Sequence, residues 1–195
     1  MFNEFSQIYL KKDVLLKSKG RMYSIHSSNK LIGTIEETLE STKNLRNQIL
    51  KLFTLYSAAS LELKILNKKA NLIGTIKKER GFYKDFKLFS PSGNQIATIQ
   101  PTVKMKSSTF AVKDVNGIII YKAVGNYGTT DFSIIDCKTN KQISTIKRSS
   151  FDYSKIIENL QNNDGYLIDN INKEESLTLS LLAMCIMVDI YIFHN

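Results

Sequence analysis

Cations are the residues best placed for chemistry in this chain. Lys77, Lys78, Arg80 and Lys84 crowd one predicted strand end, Lys104 and Lys106 follow Pro101, and Lys147 and Arg148 close a later strand. Ammonium and guanidinium groups at this density attract anions, either lipid headgroups or a nucleic-acid backbone. In Thr75-Ile76-Lys77 and Thr145-Ile146-Lys147, strand alternation sends the isoleucine to one face and the lysine to the other. Lys77 and Lys147 therefore face solvent, and hairpins stacked in register would bring both to one rim. For any single lysine the competing reading is a solubilising residue that blunts a sheet edge. Phe82, Tyr83, Phe86 and Phe89 interleave with Arg80, Lys84 and Lys87. That pattern suits base stacking but equally a hairpin core. No helix-turn-helix, RNA-recognition or zinc-finger spacing accompanies it, so nucleic acid ranks below a membrane surface.

Other chemistry has little material. The chain holds 2 His and 2 Cys, too few for a protein-built zinc site or a histidine triad. His26 falls in a hairpin and His194 is the penultimate residue. Cys137 and Cys185 form no Cys-x-x-Cys pair, which points to a reducing compartment and structural thiols. No nucleophile elbow, P-loop or dinucleotide fingerprint occurs. The expectation is a non-enzyme with no catalytic residue, metal or cofactor. Asp164 and Asp169 frame an Asn-Asn-Asp-Gly turn with too few companion carboxylates for calcium. Asp189 is the odd residue, a carboxylate in an apolar run, expected near the exposed end of a helix in a structural role.

These residues sit in 195 residues with 43% hydrophobic and 23% charged content, the profile of one globular domain rather than a disordered chain. The net charge of +9 is uneven. Residues 1–150 carry 25 bases and 11 acids (+14), and residues 151–195 carry 2 and 7 (−5). The start of the chain lacks a continuous apolar stretch, which excludes an ordinary secretory signal. Leu177–Phe193 is apolar apart from Thr178, Ser180 and Asp189. As a helix it would span about 25 Å at ~1.5 Å per residue, marginal for a hydrocarbon core of roughly 30 Å. No Lys or Arg flanks it between Glu174 and Asn195. A helix apolar all round can also be one enclosed by protein, and that is the expectation here.

Five units of strand, polar turn and strand position the bases. They cover Met22–Glu37, Leu61–Lys78, Phe86–Gln100, Phe110–Val124 and Phe132–Arg148, and alternation such as Leu61, Leu63, Ile65 against Glu62, Lys64 marks half-buried strands. Four units end alike, in Gly33-Thr34-Ile35, Gly74-Thr75-Ile76, Ala97-Thr98-Ile99 and Ser144-Thr145-Ile146. An antiparallel sheet of about ten strands or more tends to close, which removes its edges, and a barrel that wide needs the apolar C-terminal segment as filling. Between the first two units, Thr38–Ser60 places Leu45, Ile49, Leu52, Phe53 and Tyr56 at helical spacing. It predicts an amphipathic helix packed outside the barrel, capped by Ser41 or Thr42, with a rear part from Leu52 that could be strand instead.

Tandem hairpins ending in small-Thr-Ile, followed by a wholly apolar helix, resemble the tubby-like superfamily of tubby C-terminal domains, phospholipid scramblases and LURP-one-related proteins. The likeness is nearest to small bacterial LURP-one-related proteins. It is carried by residues 22–35, 86–99, 132–148 and 166–189 and covers roughly residues 8–193. The resemblance implies a mainly β fold, a closed antiparallel barrel of about twelve strands around a buried helix at about 175–193, in one domain over 1–195. It also implies phosphoinositide-type headgroup binding through surface Lys and Arg. The chain departs from animal scramblases in lacking a Cys- or Pro-rich leader and an Asp-x-Asp calcium loop. The expected function is a monomeric cytoplasmic binding module, peripheral to the membrane, for anionic lipid headgroups. The alternatives are a protein- or nucleic-acid-binding regulator, and a scramblase whose C-terminal segment acts in membrane.

Overall fold

The computed structural model describes residues 2–13, 22–52, 55–103, 107–126, 131–150, 164–170 and 174–192. Each expected hairpin forms. The strands are β1 (Gln7–Lys12), β2 (Met22–Ser27), β3 (Lys30–Glu37), β4 (Leu61–Asn67), β5 (Leu72–Lys78), β6 (Phe86–Phe89), β7 (Gln95–Val103), β8 (Ser107–Lys113), β9 (Ile119–Asn126), β10 (Asp131–Asp136), β11 (Gln142–Ser150) and β12 (Asp164–Asn170). All neighbours run antiparallel, and β1 pairs with β12 from Gln7↔Asp169 to Lys11↔Gly165, closing the ring. The segment around Asp164, expected as a turn, instead begins β12 because Gly165 pairs with both Ser149 and Lys11.

Turn chemistry sets the hairpins. Ser28 and Asn29 both take positive φ in the first turn, as a tight two-residue connection requires. Later turns each place one residue in that region: Ala70, Gly93, Gly117 and Asn140. They are initiated by side chains that accept backbone N–H groups: Asn67 from Lys69 and Asn71, Ser90 from Asn94, Asp114 from Asn116 and Ile118, Asp136 from Lys138 and Thr139. Next to every turn the ladder slips by one residue, at Ile25/His26, Ile65/Leu66, Leu88/Phe89, Val112/Lys113 and Ile134/Ile135. One bulge per hairpin adds twist and bend at the same level round the ring, which helps the sheet curl to closure.

The shared small-Thr-Ile ending has a packing explanation. The isoleucine points inward and is fully buried at Ile35, Ile76, Ile99 and Ile146. The small residue two positions earlier shares that face. A Cβ at Gly33 would strike the Leu66 carbonyl and the Phe2 ring, and one at Gly74 would lie 3.1 Å from the Phe89 carbonyl oxygen. The inner wall therefore stays thin beside the turns, where Phe2 and the first turns of the central helix pack.

That helix, α3 (Glu175–Tyr191), fills the barrel, and Leu177 to Tyr191 are all buried. Its buried threonine and serine hydroxyls bond back along the chain, Thr178 Oγ1 donating to the Glu174 carbonyl and Ser180 Oγ to that of Ser176. Enclosure meets the expectation for this segment, and among the described residues no helix is long and apolar enough to cross a membrane. Cys185 is buried in it and Cys137 follows β10; neither forms a disulfide. Burial pushes the Cys185 thiol up and keeps it protonated.

Asp189 is not at an exposed helix end as expected. It is 4% exposed. The Tyr23 hydroxyl donates to its Oδ2 at 2.8 Å, the Tyr166 hydroxyl to its Oδ1 at 3.3 Å, and Lys12 Nζ lies 3.3 Å from Oδ2. Burial and the Asp189 charge raise the Tyr166 pKa, so that hydroxyl remains a donor. These contacts bind the helix to β1, β2 and β12.

Candidate functional site

The barrel has two unlike ends. Even strands lead into the five short turns. Odd strands lead into the other connections, among them the long 38–60 between β3 and β4 and 79–85 between β5 and β6. The helix points its C-terminus at the second end, where the Tyr191 hydroxyl donates to the Lys84 carbonyl at 2.8 Å.

The expected cations that the structure describes do not gather in one place. Lys77, Lys78 and Arg80 come together on one cleft of about 530 Å3 between connection 38–60 and the outer face of β4–β6. Lys147 and Arg148 do not join them. Their strand β11 runs parallel to β5 and six strands away round the ring, so Lys77 and Lys147 share a rim from opposite sides, and a single patch containing both does not exist. Lys104 and Lys106 lie outside the described residues.

Within the cleft, charge is nearly balanced. Glu40, Glu62, Glu79 and Asp85 face Lys77, Lys78, Arg80 and Lys87. Lys77 is half exposed, pairs with Glu62 at 3.2 Å and lies 5.7 Å from the centre of the Phe89 ring. Lys87 pairs with Glu79 at 3.1 Å, and this ammonium lowers the Glu79 carboxyl pKa.

Lys78 is not a surface cation at all. It is 3% exposed, and its Nζ donates to the carbonyl oxygens of Ala59 at 2.5 Å and Glu79 at 3.1 Å. Strand parity explains it, since Ile76 points inward and Lys78 is two residues on. The ammonium fastens the end of connection 38–60 to β5. Lys78→Met leaves two carbonyls without that donor and is expected to lower the unfolding free energy by about 2 kcal/mol, read by urea denaturation.

Loop 79–85 carries the cations that remain. Arg80 and Lys84 are exposed and, among the described residues, make no side-chain hydrogen bond or ion pair. Between them Phe82 and Tyr83 are 54% and 44% exposed. Phe86, by contrast, is fully buried, so the aromatic run divides between core and surface. The loop is held in shape. The Gly81 N–H donates to the Ala58 carbonyl at 2.9 Å. Gly81 has φ +124° and Tyr83 φ +52°, and the Tyr83 ring packs 5.3 Å from Tyr191 of α3. A positive φ at a bulky residue is uncommon and needs such support. The sequence signal was the aromatic pair bracketed by bases; which aromatics face out was not.

Connection 38–60 forms two short helices rather than one. They are α1 (Leu39–Lys43) and α2 (Leu45–Leu52), followed by a single tight turn at Tyr56–Ala58. Thr38, not Ser41 or Thr42, caps α1, its Oγ1 accepting the Ser41 N–H. Asn44 caps α2 by accepting the N–H groups of Arg46 and Asn47. Leu52 ends α2 instead of beginning a strand, and Phe53 and Thr54 lie outside the described residues. Among the described residues no cluster of His, Cys, Asp or Glu could hold a metal ion.

No model of a known family matches this chain, and no curated protein does. Among solved structures, the chain is similar to the X-ray structure of a protein from Arabidopsis thaliana, with a TM-score of 0.57, 10% identity and 96% of each chain covered. At that identity the likeness shows a shared fold over the full length.

Proposed function

We propose that this chain is a non-enzymatic, tubby-like binding module that recognises anionic phospholipid headgroups as a peripheral protein at the cytoplasmic face of a membrane. The observation that carries this reading is loop 79–85, where exposed Arg80 and Lys84 bracket exposed Phe82 and Tyr83. Aromatic rings favour the interfacial layer and cations its phosphates. The barrel threaded by its last helix supports the family resemblance, and a closed ring without sheet edges suits a monomer. Scrambling would require α3 to leave the barrel that it fills.

Co-sedimentation with vesicles tests the proposal. The protein is expected to pellet with phosphatidylcholine vesicles containing phosphatidylserine or a phosphoinositide, and to stay in the supernatant with phosphatidylcholine alone. Arg80→Ala with Lys84→Ala is expected to weaken binding about tenfold or more, since each cation near an anionic surface contributes about 1 kcal/mol. Lys78→Met, which alters no exposed cation, is expected to bind as the parent does. Equal binding to neutral vesicles would sink the proposal.

A further inference from the structure

α2 turns two apolar residues, Leu45 and Ile49, away from the barrel. Leu45 and Ile49 lie one turn apart on one face and are 69% and 48% exposed. Asn47, on the opposite face, is 1% exposed. Its amide nitrogen donates to the carbonyls of Ser41 and Ser60, each at 3.1 Å, and its Oδ1 accepts from the Ser60 N–H and hydroxyl. These four bonds fix the rotation of α2. Turning the leucine and isoleucine inward would expose Asn47 and strip Ser41 and Ser60 of their partner. Outward display of the stripe is therefore built into the fold.

What covers it is argued from charge and position. Arg46 on α2 and Lys43 at the end of α1 are exposed, against one exposed acid, Glu40, on α1, and Arg46 follows Leu45 by roughly 100° round the helix. Leu39 is 72% exposed on α1, and Leu55, whose N–H donates to the Leu50 carbonyl, is 42% exposed. An apolar helix face with cations at its margin matches the interface of an anionic bilayer, whereas an uncharged protein groove would leave the cations without a purpose. The stripe also leaves the barrel at the same end as loop 79–85, to which the Gly81–Ala58 hydrogen bond ties it.

We propose that α1–α2 is a membrane wedge, with Leu45 and Ile49 entering the acyl boundary of an anionic bilayer and Lys43 and Arg46 resting on its phosphates. This rests on the headgroup reading and names the inserted element. The chain contains no tryptophan, so Ile49→Trp supplies a single indole probe. With phosphatidylcholine–phosphatidylserine vesicles its emission is expected to shift to the blue and to be quenched by shallow brominated acyl chains. Leu45→Asp with Ile49→Asp is expected to weaken vesicle binding about tenfold or more while leaving the thermal midpoint unchanged, since both side chains are exposed. An Ile49→Trp variant that pellets with anionic vesicles without shift or quenching overturns the wedge and leaves headgroup binding standing. Failure to pellet overturns both. Equal insertion into neutral vesicles overturns the role given to the cations and hence the wedge. A concentration-dependent dimer abolished by the double Asp substitution overturns it in favour of a second copy as occupant.

Discussion

Asp189→Ala is expected to lower the unfolding free energy by about 3 kcal/mol. The carboxylate accepts from two buried tyrosine hydroxyls, Tyr23 and Tyr166, and each loses an ordered acceptor at about 1–3 kcal/mol. Lys12 contributes less, because its side chain is 30% exposed and can turn to water when the acid is gone. At roughly 2–4 °C per kcal/mol for a chain of this size, the midpoint should fall by about 6–12 °C. Asp189→Asn retains one acceptor oxygen and should cost less, and Tyr23→Phe about 1.5 kcal/mol. A double-mutant cycle between Asp189 and Tyr23 separates their coupling from general disturbance. An alanine variant as stable as the parent would show that the cluster adds nothing net.

A chain ending at Lys173 is expected not to fold cooperatively. Removing α3 deletes ten large buried hydrophobic residues (Leu177, Leu179, Leu181, Leu182, Met184, Ile186, Met187, Val188, Ile190 and Tyr191). At roughly 1.5–3 kcal/mol each they outweigh the 5–15 kcal/mol that holds a typical domain together. The inward side chains of twelve strands would also face an empty lumen. Near-UV circular dichroism and dye binding check this: the truncated chain should lose fixed aromatic signals, bind the dye and show no sigmoidal transition. A cooperative transition would mean that the barrel stands without its filling.

How much of this could be read from residues depends on the range of each interaction. The hairpins were legible because alternation and turn chemistry are local: Asn67, Ser90, Asp114 and Asp136 begin their turns within five residues of the bonds that they make. Closure followed from strand number, and the enclosed helix from its lack of a polar face. Lys78 was legible and missed, since the parity that sends Lys77 outward sends Lys78 inward. The facing of α2 was not legible. Helical spacing shows that a stripe exists, not which side the protein occupies, and the burial of Asn47 depends on Ser60, thirteen residues away. Nor were the partners of Asp189, which come from β1, β2 and β12 and depend on how far α3 is sunk in the barrel. The division of the cations followed from ring position, which local pattern does not encode.

The seam between β1 and β12 has a further consequence in time. Gln7 Nε2 donates to Asp169 Oδ1 across 162 positions of sequence, and the helix that must lie inside follows β12. On a ribosome that makes the chain from its N-terminus, ten consecutive strands can pair with their predecessors while the free edge of β1 waits for a partner not yet made. The ring can shut only after its last strand and its contents have emerged together. Long-range pairing of this kind folds slowly. Until it finishes, the growing sheet presents an apolar concave face and two unpaired borders, the state in which such a chain is most exposed to aggregation.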